Sequence, residues 1–241
     1  MRTLTLGVLV CDSVKPELQS VAGDYPQMFE QLFIDYPVTG YSIKLIHYDV
    51  RSGRYPERLS ECDGYLTTGS AASVNDDDQW ILELLQFVRC LHVEQVALFA
   101  VCFGHQLIGK ALGGKVEVAE QGWAVGVHEA TVQHREPWMR PAADSYRLIS
   151  SHKEQVTVVP HGAIVLASSL HCPCSMMLCG SLLGIQGHPE FRAPYAQALM
   201  DTRTAIIPED TRIQAAESFQ ASQPDHSLLT GWIVQFVLSR E

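Results

Sequence analysis

Two hydrophobic rhythms alternate through the first half of this chain. Residues 3–10 read as a core strand, and Tyr25 to Phe33 carries helical spacing. Ser42 to Tyr48 alternates with period two, and Gly64 to Thr68 is a short apolar strand that breaks at Gly69. Trp80, Leu82, Leu84, Leu85, Val88 and Leu91 then form a helical stripe. Val96 to Val101 is apolar at every position, the pattern of a central strand covered on both faces. This order of strands and helices predicts an α/β fold with a mostly parallel central sheet flanked by helices.

The second half changes character. Residues 115–134 and 146–186 read as short strands punctuated by Gly and Pro, which predicts a small antiparallel addition. The main sheet is expected to resume at Leu182 to Gln186. From Pro194 onward the pattern is helical, with Pro208 and Pro224 as breakers and Trp232, Ile233, Phe236 and Val237 closing the chain. No repeat, low-complexity stretch or linker interrupts it. One domain over residues 1–241, with a helical extension from about 193, is the expectation.

Composition narrows the function. Hydrophobic residues make up 46% and charged residues 18%, enough apolar mass for a core and too little charge for disorder. Lys and Arg number 17 against 27 Asp and Glu, a net charge of −10. That balance argues against nucleic acid and against an acidic membrane surface as partners. No apolar run approaches the ~20 residues of a membrane span, and the N-terminal apolar stretch is short for a signal peptide. Seven cysteines, an odd number in a chain of this length, read as reduced thiols in a cytoplasmic protein.

The chemistry concentrates in two segments. In Leu98-Phe99-Ala100-Val101-Cys102-Phe103-Gly104-His105-Gln106-Leu107 an apolar strand runs directly into a cysteine, and a helical stretch follows. A strand–nucleophile–helix elbow has this form, and a helix N-terminus favours thiolate. Gly104 and Ala100 are the small residues that a tight turn needs. A cysteine nucleophile requires a base and the base an orienting group. Gly184-Ile185-Gln186-Gly187-His188-Pro189-Glu190-Phe191 supplies both, at the end of a second apolar strand. The order Cys, His, Glu differs from that of the α/β-hydrolases, and the papain-type signature is missing.

Val101 to Leu107 and Gly187-His188-Pro189-Glu190 resemble the two signatures of the class I glutamine amidotransferases, the Cys-His-Glu type. Gly64 to Ser70 is similar to that family's oxyanion loop, and Ser151 to Val156 to its Ser-His-x-x-x-Val segment. The resemblance covers about residues 5–192 and is strongest to stand-alone members, near GMP-synthase glutaminase domains and γ-glutamyl peptidases. It implies a flavodoxin-like sheet of the class I glutamine amidotransferase type. It also implies hydrolysis of the γ-amide of glutamine through a Cys102 thioester, with His188 as base and Glu190 orienting it. Backbone N–H groups of Gly69 and Phe103 would meet the oxyanion, and Gln106, Ser151 and His152 would hold the α-substituents. The loop keeps the donor glycine but has Thr68-Gly69-Ser70 where the family commonly has Gly-Gly-Pro. No cofactor or metal is expected.

Two decoys are set aside. Gly104 to Lys110 has P-loop spacing, but Ala111 stands where a hydroxyl should ligand Mg²⁺. His171-Cys172-Pro173-Cys174 and Cys179 lack the second cysteine pair of a structural zinc site, and 174–179 reads as a buried strand. No ATP-using acceptor domain is legible in the chain. A glutaminase with a separate synthetase chain as partner, a hydrolase acting alone on γ-glutamyl amides or peptides, and a non-catalytic binding protein of the same fold are the readings that follow. A small-molecule substrate is common to the first two.

Overall fold

The computed structural model describes residues 2–240. The expected strands open the fold: β1 (Arg2–Val10), β2 (Tyr41–Asp49), β3 (Gly64–Thr67) and β4 (Leu98–Val101). Between them run a short helix α1 (Gln19–Ala22), α2 (Tyr25–Asp35) and α3 (Gln79–Val93). Asp24 fixes the start of α2, its carboxylate accepting from Tyr25 N–H while Gln27 Oε1 accepts from Asp24 N–H. Next come α4 (Phe103–Ala111), β5 (Lys115–Val118), β6 (Ala124–Val132), β7 (Ser145–His152), β8 (Glu154–Val158) and β9 (Ile164–Ser168). β10 (Met176–Cys179), β11 (Leu182–Ile185), α5 (Ala193–Asp201), α6 (Glu209–Ala221) and α7 (His226–Leu238) complete it. Pro208 caps α6 and Pro224 lies just before α7, so both act as the breakers expected of them.

Nine strands form one sheet in the order β2-β1-β3-β4-β11-β10-β9-β6-β7. β2, β1, β3, β4 and β11 are parallel neighbours, and from β11 to β7 the pairing is antiparallel. The antiparallel addition therefore extends the main sheet by four strands. A separate two-stranded pair, β5 with β8, is the smaller part of it. β11 returns to the middle and sets Gly184 beside Ala100 and Ile185 beside Val101.

Period-two alternation on β4 feeds two cores. Phe99 and Val101 join Phe29 and Leu32 of α2 and Trp232, Ile233 and Phe236 of α7 on one face. Leu98 and Ala100 join Leu84 and Val88 of α3 and Leu107 and Ile108 of α4 on the other. A strand buried on both faces has no polar side to present, which is why its sequence reads as an unbroken apolar run. Cys174 and Cys179 lie in the second core as small hydrophobes. Gly104 to Lys110 lies inside α4, so the P-loop spacing falls on a helix. Among the described residues no helix is long and apolar enough to cross a membrane.

Candidate active site

β4 delivers Cys102 to the carboxyl edge of the sheet. Cys102 is the N-cap of α4 and takes φ 50° and ψ −98°, a conformation that costs a non-glycine residue about 1–3 kcal/mol. The surroundings impose it. Cys102 N–H donates to Ile185 O at 2.8 Å, and Cys102 O accepts from Gln106 N–H at 3.0 Å. Val101 N–H donates to Thr67 Oγ1 at 3.1 Å. A Cβ on Gly104 would stand 1.8 Å from that same Thr67 oxygen, so only glycine lets the elbow close.

β11 ends beside β4 and hands on to the second segment. His188 N–H donates to Ile149 O of β7 at 2.8 Å, which holds the loop against the antiparallel half. His188 Nδ1 and Glu190 Oε1 are 2.8 Å apart, with both side chains almost fully buried. The carboxylate accepts there, so Nδ1 carries the proton and the other ring nitrogen is left for the Cys102 thiol, its second hydrogen-bond partner. Burial disfavours the imidazolium, but the Glu190 carboxylate and then the Cys102 sulfur outweigh it and raise His188 well above the ordinary imidazole value. Phe191 stacks flat on the imidazole, centroids 3.9 Å apart and planes 9° off parallel, and Tyr195 meets Phe191 edge-on at 4.8 Å. The ring is thus fixed by a carboxylate at its edge and an aromatic face beneath it.

The other expected residues surround the thiol. A Cβ on Gly69 would lie 2.9 Å from His188 Cε1 and 3.9 Å from Cys102 Cβ, so Gly69 faces both. The Thr68-Gly69-Ser70 loop is held by side chains: Thr68 Oγ1 accepts from Cys11 N–H and donates to Gly69 O, each at 2.9 Å. Asp12 then accepts from Ala71 N–H at 2.8 Å. Phe103 opens α4 immediately after Cys102. Gln106 is buried, its Nε2 donating to Glu154 O at 2.7 Å and to Gln186 Oε1 at 3.3 Å. Gln186 Nε2 in turn donates to Cys102 Sγ at 3.4 Å.

Cys102, Gln106, Ser151 and His152 line one cavity of about 280 Å³. His152 is buried and its Nδ1 lies 3.1 Å from Glu154 O. Burial, and then the nearby His171 and His128, push it down to about 3, so its imidazole is neutral at physiological pH. It can contribute shape and backbone to a carboxylate there, but no charge. Gln186, Phe191, Glu154 and Arg203 are parts of the site that the sequence does not single out. Gln186 and Phe191 flank His188 within the recognised segment, whereas Arg203 has no local signal at all.

A family model for class I glutamine amidotransferases matches residues 24–205. γ-Glutamyl peptidase 3 of Arabidopsis thaliana is 28% identical over 192 residues, covering 74% of this chain and 76% of that protein. One subunit of the glutamine-hydrolysing GMP synthase of Halobacterium salinarum is 34% identical over 97 residues, 39% of this chain and 53% of that one. The fold is similar to a solved glutamine amidotransferase from Thermotoga maritima, with a TM-score of 0.72, 18% identity and 98% of each chain covered.

Proposed function

The chain belongs to the class I glutamine amidotransferase family, and from that premise we propose that it hydrolyses a γ-glutamyl C–N bond through a thioester on Cys102. The observation that carries this reading is the convergence of the Cys102 elbow, the His188–Glu190 pair and Gly69 around one point. His188 takes the thiol proton as Cys102 Sγ attacks the γ-carbonyl, and the oxyanion accepts from the N–H groups of Gly69 and Phe103. His188 gives its proton to the leaving nitrogen as the C–N bond breaks, releasing ammonia or an amine. Its raised proton affinity suits taking the thiol proton in the first step. His188 then takes a proton from water as the oxygen attacks the thioester. Glutamate leaves, and the thiol is restored. Glu190 holds the imidazole throughout. Water is the only co-reactant, so the cycle as written calls for no cofactor.

We take the whole chain as one catalytic domain, because α7 packs beneath β4 in the same core as α2. The substrate reading we favour is a hydrolase acting alone on γ-glutamyl compounds, glutamine among them. Similarity to the γ-glutamyl peptidases over about three quarters of the chain supports it. The match to a GMP synthase subunit favours the second reading, a glutaminase that passes ammonia to a separate synthetase. A cytoplasmic setting fits seven unpaired cysteines.

The test is a hydrolysis screen of glutamine, γ-glutamyl dipeptides and γ-glutamyl amines, with hydroxylamine present to trap the acyl group as a hydroxamate. Turnover of dipeptides supports the hydrolase acting alone. Turnover of glutamine only on adding a synthetase supports the glutaminase with a partner chain. Activity that survives in Cys102→Ala, or no hydroxamate in any condition, ends the thioester reading.

A further inference from the structure

One wall of the cavity carries a cation that the reaction above does not use. Arg203 sits in the turn after α5, where its N–H donates to Met200 O at 2.9 Å and its carbonyl accepts from Ile206 and Ile207, each at 3.0 Å. The guanidinium lies over the Trp123 ring, 5.7 Å from the centroid, and Nη1 donates to Ser151 Oγ at 3.1 Å. Trp123, Ser151 and Arg203 line the same cavity as Cys102.

Several arginines find acids, Arg51 with Asp49, Arg135 with Asp144, Arg147 with Asp225 and Arg192 with Asp35, whereas Arg89, Arg140 and Arg212 donate to backbone carbonyls away from the cavity. Among the described residues no carboxylate forms a salt bridge with Arg203, although acids outnumber bases in the chain. A neutral hydroxyl and an indole face hold the group without neutralising it. A guanidinium has five N–H donors in a planar fork, and Ser151 takes one. A fork held in one plane, with donors to spare, suits bidentate recognition of a carboxylate. Glu154, in the same cavity and bonded to Ser73 Oγ at 2.7 Å, supplies the opposite charge for an ammonium.

We propose that Arg203, oriented by Trp123 and Ser151, is a specificity residue that binds a carboxylate of the γ-glutamyl substrate. The inference rests on the hydrolase reading of the Cys102 site. The carboxylate is either the α-carboxylate of the glutamyl group or that of an amino acid leaving group, and the two sources part experimentally.

The experiment compares wild type, Arg203→Lys and Arg203→Met on glutamine, its α-carboxamide, γ-glutamylalanine and γ-glutamylalanine amide. Arg203→Met keeps an apolar stem for Trp123, and an unchanged melting temperature shows that its fold is intact. Expected is a KM raised roughly 10- to 100-fold with kcat held, and an intermediate value for Arg203→Lys. If the glutamyl carboxylate is read, wild type loses the same factor on the α-carboxamide and the variant loses nothing more there. If the leaving group is read, that non-additivity appears with γ-glutamylalanine amide. A KM within twofold of wild type on all four substrates overturns the role of Arg203. A wild type that hydrolyses none of them overturns the hydrolase reading, and the inference with it.

Discussion

In the parallel half of the sheet, β4 and β11 lie side by side and their carboxyl ends lead directly to Cys102 and His188. In the antiparallel half, β7 carries Ser151 and His152, β8 opens with Glu154, and Trp123 leads into β6. The first half sets Cys102, His188 and Gly69 by backbone geometry: a positive-φ elbow, the pairing of β4 with β11, and glycines where a Cβ would collide. The second half forms the wall a substrate would lean on, from side chains on several strands and one distant turn. Damage to the parallel half should therefore abolish chemistry. Damage to the antiparallel half should alter which molecule is held.

The largest effect tests the first clause. Cys102→Ala and His188→Ala should each cut glutamate release about 10⁶-fold, and the double variant little further, because nucleophile and base act as one unit. Next comes Glu190→Gln, with a loss of about 10⁴-fold, since it orients the base without exchanging protons. The same variant reports on stability. His188 has a raised proton affinity in the folded state, so the His188–Glu190 contribution is fully present below the ordinary imidazole value. It is lost as pH rises through the raised one. In urea titrations the gap between wild type and Glu190→Gln should be widest near pH 6 and narrow toward alkaline pH. A gap that widens with pH would refute the pairing.

Gly104→Ala should destabilise by about 1–3 kcal/mol, the usual cost of overpacking, and Thr67→Ala in the same chain should recover part of it. Additive losses would mean that the elbow is shaped by something other than Thr67. The smallest effect is at Phe191. Phe191→Leu should lower kcat by about 2- to 10-fold, the worth of an aromatic contact, and leave KM in place. An equal change in KM would move Phe191 from holding the imidazole to the substrate wall.

Much of the parallel half is legible in the sequence because its signals are local. A strand buried on both faces announces itself as Val96 to Val101, and the elbow and the His188–Glu190 pair are contiguous stretches. The antiparallel half is less legible for a physical reason. How far the sheet extends depends on pairings such as Ala124 with His152, set by register between segments whose separate patterns do not name their partners. Arg203 is the extreme case. It lies 52 residues from Ser151 in a turn between two helices, and nothing around it marks the indole it meets. His152 lies in the segment expected to hold the substrate, but its neutral ring follows from burial and from His171 and His128, which only the fold brings near. The cysteines also divide in a way the apolar stripe of α3 conceals. Cys90 is exposed on that helix, whereas Cys102, Cys174 and Cys179 are buried.

The place of β11 has a consequence in time. β4 and α4 are synthesised some eighty residues before the strand that completes their edge, because Ala100 waits for Gly184 and Val101 for Ile185. Contacts so far apart in sequence form late in folding, since the entropy of closing so long a loop must be overcome first. His188 comes with β11 and not before. A nascent chain holding Cys102 alone has no base beside its thiol and no Glu190 to orient one. On the proposed reading the nucleophile is therefore born without its base, and hydrolytic capacity would follow only when the centre of the sheet zips shut.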